Sequence, residues 1–552
     1  MGSHSAKKPL NNLFGSYDDS CPQEGRAVFR VAIIGCGAAA VATLFGLLKY
    51  LSSEVNQNLK ITIFEKGPAF GPGFAYQCDN DELLMNMTSS TTSIFSHHAS
   101  DFWEWTLKGG YISSSNHIMS RLGVAPYGYI SRQFFGLYLK SRLDDAITAL
   151  EKLGVEVELV NLEVIDVAML DINRLNVITL DGGVEIFNGV ILCIGNTSPQ
   201  DVFNLMGESQ YINNPYPVNN YLRLIKKTDS VGIIGAQLTA ADIAVVLANQ
   251  EHQGPIHFLT RDLNFPLIRY QEQNYRLKYL TLDNLEILKR KNCQGISVRQ
   301  ILRLARKEFL LAGISWNKFF GPSNIDYGGW IQSLLKRESN FSSWQYLAIQ
   351  TDEVIGAYWD ALSNSGKELF MSRFHRVWAA KRVPLPAHTA LKLHSLFQMG
   401  ILRHYPYLRA INGSGRNKFT ALVAKSKGSI SSTKVHCDWL INATGPSRDI
   451  GGNTELPLIK NLLKSGLIIK NPHGGIILDY ETSIVKSVAH RNPSHFYAIG
   501  QLTAGTYYFV SSLDMVSLRA KKVARHLVES LRFPRAQRGL GKKIQHETSH
   551  AS

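Results

Sequence analysis

The chain has 552 residues, 45% hydrophobic and 19% charged, with a formal net charge of +15. That length asks for two or three domains, and the composition is that of a globular protein, which excludes fibrous and wholly disordered classes. No apolar run reaches the length of a membrane span, and the opening MGSHSAKKPLNN lacks a signal-peptide core, so a cytoplasmic location is expected. The six cysteines (Cys21, Cys36, Cys78, Cys193, Cys293 and Cys437) form no CxxC and no metal-ligand spacing, so neither a redox-active pair nor a metal site is expected. From Met515 onward nine Lys/Arg stand against two Glu. Without zinc-finger spacing or an RNP-type strand, this reads as a solvated terminal helix and tail, and no nucleic-acid partner is expected.

In chain order, residues 1–27 are polar and read as a disordered segment. VAIIGCGAAA then runs from an apolar strand through a glycine turn into a helix of small residues, and LKITIFEK follows as a second strand. This is the order of a dinucleotide-binding βαβ unit. Gly35 allows the tight turn, Gly37 lets backbone N–H groups approach a pyrophosphate, and Ala40 lets helix and strand pack closely. Glu65, 28 residues after Gly37, supplies the acid for ribose hydroxyls. A glycine loop, GPAFGPGFAYQ, and LLMNMTSSTTS come next; a helix is predicted over Arg132–Leu150 and strands over Leu175–Leu180 and Ile186–Ile194.

SVGIIGAQLTAADIAVVLANQ opens a second such unit, with a strand at Val231–Ile234, a turn at Gly235 and a helix from Thr239. Gln237 stands where the second glycine belongs and would crowd a pyrophosphate. Arg261 closes the next strand, where a basic group suits a 2′-phosphate and an acid would suit NAD. The region from Arg269 to Arg382 is helical by pattern, with Arg299–Leu311 amphipathic. Strands return at Phe419–Ala424 and Val435–Ile441, then FYAIG leads to a long helix from about Asp514. The expected fold is therefore α/β, with two Rossmann-like domains, the second inserted into the first and carrying a helical extension. The boundaries are 28–212 and 395–531 for the two parts of the first domain, 213–394 for the second, and 532–552 for a basic tail.

ILCIGN and LINATGPSRD are buried-type strands that each run into a glycine, Gly195 and Gly445, where glycine permits close backbone contact, and both resemble the strands that return beneath the cofactor in two-dinucleotide flavoproteins. His97 and His98 read as polar loop, and Asp79 and Asp81 as solvated loop acids. There is no HExxH, no nucleophile elbow and no Walker loop, so no metal and no side-chain nucleophile is expected, which fits chemistry done by a cofactor.

With these motifs in hand, the chain resembles the two-dinucleotide FAD/NAD(P)-binding flavoproteins related to flavin-dependent N-hydroxylating monooxygenases. The resemblance runs from about Phe29 to Leu527 and rests most on GPGFAYQ followed by LLMN, with ILCIGN, IIGAQLTAADIAVVLA, WAAKRVP, INATGP and AIGQLTAGTYY in order. It implies FAD at Gly35, Gly37, Ala40 and Glu65, with Tyr76 and Asn86 along the flavin and the segment Gly500–Tyr507, Gly500 and Thr506 included, near its ring. NADPH would enter near Gly235, Thr239 and Arg261. It implies N-hydroxylation of an amine of an amino acid or small metabolite by dioxygen through a C4a-hydroperoxyflavin, with Asn86 and Arg382 on the substrate side and no catalytic residue assigned. A flavin reductase or oxidase without oxygen transfer and a non-catalytic flavin-binding sensor both stay open, as does a homo-oligomer.

Overall fold

The computed structural model describes residues 28–51, 58–109, 127–269, 275–292, 294–320, 325–336, 342–413, 418–451, 456–488 and 492–532. The expected disordered segment 1–27 and nearly all of the tail 532–552 lie outside them.

Two five-stranded parallel sheets organise the chain. The first is ordered β16-β7-β1-β2-β3, from Phe496–Ala498 (β16), Gly189–Leu192 (β7), Phe29–Ile34 (β1), Leu59–Phe64 (β2) and Glu156–Val160 (β3). The second is ordered β11-β10-β9-β15-β8, from Leu402–Tyr405 (β11), Ile256–Leu259 (β10), Val231–Ile234 (β9), Trp439–Asn442 (β15) and Tyr211–Ile212 (β8). Their central strands are continuous apolar runs, because a parallel strand is covered on both faces. Helix Ala38–Tyr50 packs on helix Leu513–Arg532 so closely that a Cβ on Gly46 would lie 2.9 Å from that of Ala524.

The second unit repeats the plan of the first. Each runs strand, glycine turn, helix, strand, and later returns through a three-stranded antiparallel sheet to a strand beside the first. In the first unit that sheet is Val164–Asp171 (β4), Arg174–Thr179 (β5) and Val184–Phe187 (β6), and in the second Leu408–Gly413 (β12), Phe419–Ala424 (β13) and Ser432–Cys437 (β14). A helical layer, from Leu282 to Gln398, lies between β10 and β11. Its helix Val298–Leu311 begins with a capping box, Ser297 and Gln300 each bonding the other's backbone N–H.

This repeat corrects the expected boundaries. Strands 402–405 and 439–442 belong to the second sheet, not to the second part of the first domain from 395, and β8 at 211–212 also joins the second sheet. The sequence gives INATGP the same apolar-then-glycine form as ILCIGN, but β15 pairs with β9 while β7 pairs with β1. The chain crosses between units twice, and the crossings are stitched together: Thr197 Oγ1 donates to the Ser447 carbonyl at 2.7 Å and Ser447 N to that of Ser198 at 3.3 Å.

Candidate functional site

The first corner is tight. Gly35 has φ +95, and a Cβ there would lie 2.5 Å from the Cys193 carbonyl oxygen, so the returning strand leaves no room for a side chain. The second corner is built the same way: Gly235 has φ +119, and a Cβ there would lie 2.8 Å from the Ala443 carbonyl oxygen. Gly37 and Gln237, the residues preceding the two helices, share nearly one backbone conformation: φ −106, ψ −162 and φ −96, ψ −164. Neither helix start receives a side-chain cap, which leaves first-turn N–H groups for an anion. Glutamine is therefore tolerated by the backbone. Its side chain donates from Nε2 to the Asn264 carbonyl at 2.8 Å, tying the helix start to the loop after β10.

A cleft enclosing about 1300 Å³, solvent-open space included, runs over the first corner. Gly35, Gly37, Glu65, Tyr76, Gly195 and Gly500 all line it. Ala40 lies beneath, fully buried. Glu65 Oε2 accepts from Cys36 N at 2.7 Å and Oε1 from Gly67 N at 2.8 Å, so it braces the turn and keeps further lone pairs for a ligand. The fit to a dinucleotide is tested by the glycines: a Cβ on Gly195 (φ +73) or Gly500 (φ +86) would meet no protein atom within 4 Å. The positive φ values favour glycine there, and the space beside them is unfilled, as a cradle for a close-lying cofactor requires. Loop 71–76 is laid against helix Arg132–Lys152 at Gly136, where a Cβ would strike the Tyr76 carbonyl at 2.1 Å.

A second cleft, about 1150 Å³ with its open mouth, lies where the two units meet. It shares Phe74, Ala75, Tyr76 and Asn196 with the first and adds Asn86, Arg132, Tyr216, Thr239 and Gly445. Burial pushes the Tyr76 phenol up to about 12, so it stays protonated. Arg132 Nη2 and the Tyr216 hydroxyl both donate to Asp242 Oδ2 at 2.6 Å, joining the first unit to the second unit's nucleotide helix. Asp79 is not the solvated loop acid expected. It is half-buried, accepts from Val218 N at 2.9 Å and Asn219 N at 3.1 Å, and burial raises its carboxyl above the usual range.

Other expected residues fall elsewhere. Gly235 and Arg261 line neither cleft, and Arg261 is exposed two residues beyond β10. The Thr506 hydroxyl points to the Ile476 carbonyl at 3.5 Å and lines neither. Arg382 is buried in the helical layer, paired with Asp352 and stacked 4.7 Å from the Phe509 ring, apart from Asn86. The sequence reading missed Arg132, Tyr216 and Asp79 as a group. The available signal was Asp242, a lone acid inside the apolar helix TAADIAVV. Among the described residues no group of three or more His, Cys, Asp or Glu could hold a metal ion, and no helix is long and apolar enough to cross a membrane.

Residues 32–197 match the FAD-NAD(P)-binding family. No curated protein matches the chain. Among solved structures, the reduced form of ornithine hydroxylase PvdA from Pseudomonas aeruginosa superposes with TM-score 0.55 at 13% identity, covering 92% of this chain and 100% of that one. Kutzneria sp. 744 ornithine N-hydroxylase KtzI, solved with reduced FAD, NADP+ and L-ornithine, gives 0.55 at 12% over 92% and 100%. L-lysine 6-monooxygenase from Pseudomonas syringae gives 0.54 at 12% over 91% and 99%. At these identities the likeness carries the fold. Residues 32–197 thus match the FAD-NAD(P)-binding family, and the chain as a whole shares the fold of these solved structures.

Proposed function

We propose that this chain is an FAD-dependent NAD(P)H oxidoreductase, and specifically a monooxygenase that hydroxylates the amine nitrogen of an amino acid or small metabolite. The observation that carries the reading is the meeting of two glycine-cornered nucleotide folds at one cleft that presents Asp79, Asn86 and Arg132, with Tyr76 shared between the clefts. The solved structures of like fold are named as ornithine hydroxylases and a lysine 6-monooxygenase, which supports the substrate class.

FAD supplies hydride acceptance and oxygen chemistry when bound, and the protein supplies position and a dry setting. Gly37 and the uncapped helix start would hold its pyrophosphate, and Glu65 its ribose. Thr239 and the start of the second helix would hold the nicotinamide dinucleotide, with Arg261 toward a 2′-phosphate. Asp79, the acid lining the second cleft, would accept hydrogen bonds from the substrate ammonium. Asn86 would orient the substrate from the same wall.

The test is to mix the FAD-loaded protein with NADPH without oxygen, then add oxygen with ornithine, lysine or a diamine. Bleaching by NADPH and a hydroxylamine product support the proposal. Peroxide equal to all NADPH consumed, with every amine, would make the protein an oxidase. Flavin untouched by both NADPH and NADH would make it a sensor.

A further inference from the structure

Helix Val298–Leu311 turns a row of cations to solvent on the outside of the helical layer. Arg299, Arg303, Arg306 and Lys307 follow one another at helical spacing, so one face carries all four, and all four are exposed. The helix's single acid is withdrawn from that face. Glu308 is fully buried, and its carboxylate accepts from the Tyr275 hydroxyl at 2.7 Å and from the Tyr279 and Leu280 N–H groups at 2.7 and 2.9 Å. Among the described residues no carboxylate pairs with any of the four cations. Like charges three and four residues apart destabilise a helix, so a row kept without counter-charge calls for an anion from outside the chain.

The same face ends in bare leucines. Leu310, in line with Arg303 and Arg306, is 81% exposed, and Leu311 is 56% exposed. Ile314 and Trp316 edge an open depression that Leu310, Arg303 and Arg306 share. The Arg306 guanidinium lies 5.5 Å from the centre of the Trp316 ring. Cations, an indole and uncovered leucines within one face match the layering of a lipid surface: phosphates outermost, then the interface where indoles collect, then acyl chains. A nucleic acid would meet the cations and leave the leucines in water.

We propose that this face docks the protein on an anionic bilayer, with the four cations against lipid phosphates and Leu310 and Leu311 in the acyl boundary. None of these residues lines either cleft, so the proposal does not depend on the substrate taken there.

Co-sedimentation of the FAD-loaded full chain with vesicles tests it. Binding is expected to vesicles of mixed phosphatidylglycerol and phosphatidylcholine, not to phosphatidylcholine alone, and should fall as salt rises. Arg303→Gln with Arg306→Gln should weaken it by about twentyfold, from about fivefold for each cation lost. Leu310→Ser with Leu311→Ser should weaken it by about tenfold at unchanged charge. Lys152→Gln with Lys464→Gln removes the same charge from exposed positions elsewhere and should leave binding unchanged. Flavin content and melting show that each variant has folded. No vesicle binding by the parent protein, equal binding to neutral vesicles, binding that survives either pair of substitutions in the face, or an equal loss in the Lys152 and Lys464 control would overturn the proposal.

Discussion

Replacing Gln237 by glycine tests whether the second nucleotide corner is gated by a side chain. The backbone there already has the conformation of Gly37, so the substitution removes only the side chain and its bond to the Asn264 carbonyl. A net hydrogen bond of this kind is worth about 1 kcal/mol. If a nucleotide at the helix start must displace the amide, binding pays about that amount, and Gln237→Gly should tighten NADPH by about fivefold. The same variant should lose about 1 kcal/mol of stability, because the loop after β10 loses its tie. The assay is the rate of flavin reduction against NADPH concentration, without oxygen, beside a urea unfolding curve. The half-saturating concentration should fall while the limiting rate stays put. Unchanged or weaker NADPH binding, with the stability loss present, would refute the reasoning.

Other perturbations separate scaffold from site. Gly35→Ala places a Cβ against the Cys193 carbonyl at positive φ, and should cost about 3 kcal/mol in unfolding free energy. Gly195→Ala meets no protein atom, and should cost the FAD-free protein only about 1 kcal/mol while weakening FAD binding, read by flavin fluorescence; equal losses in both would contradict the cradle. Asp242→Asn leaves Arg132 without its counter-charge between the units and should cost about 3 kcal/mol; a urea midpoint close to the parent's would count against that pair. His257, His375 and His404 are each pushed down to about 4 by burial. Unfolded imidazoles titrate near ~6.5, so between those values the unfolded chain binds more protons, and these groups' stability is lost as pH falls through that window. His257→Phe should flatten the slope by about 1 kcal/mol per pH unit near ~5.5, measured by urea unfolding.

The parts legible in the sequence are those set by local geometry. Gly35 and Gly235 announce corners because a positive φ and a backbone contact are demands on single residues. Val231–Ile234 and Phe419–Ala424 are strands as predicted, being short apolar runs between turn signals. What the sequence hid is non-local. An apolar strand ending in glycine suits either sheet, so Trp439–Asn442 gave no sign that its partner was Val231–Ile234 rather than Phe29–Ile34. The cleft between the units was hidden for the same reason. Arg132 and Tyr216 have no sequence relation to Asp242, although a carboxylate in an otherwise apolar helix asks for a buried partner. Arg382 shows the reverse case: a basic residue in a shared motif that the fold uses against Asp352.

The stitched crossings have a mechanical consequence. A single tether would let one unit swivel freely on the other. Two tethers bonded to each other resist twist and slide, as the paired leaves of a door hinge do. Asn196, Thr197, Gly445 and Pro446 are both the hinge and part of the second cleft's wall. Any swing about it therefore widens or narrows the chamber where the two nucleotide folds meet, and Arg132 on Asp242 is the catch that a widening swing must release.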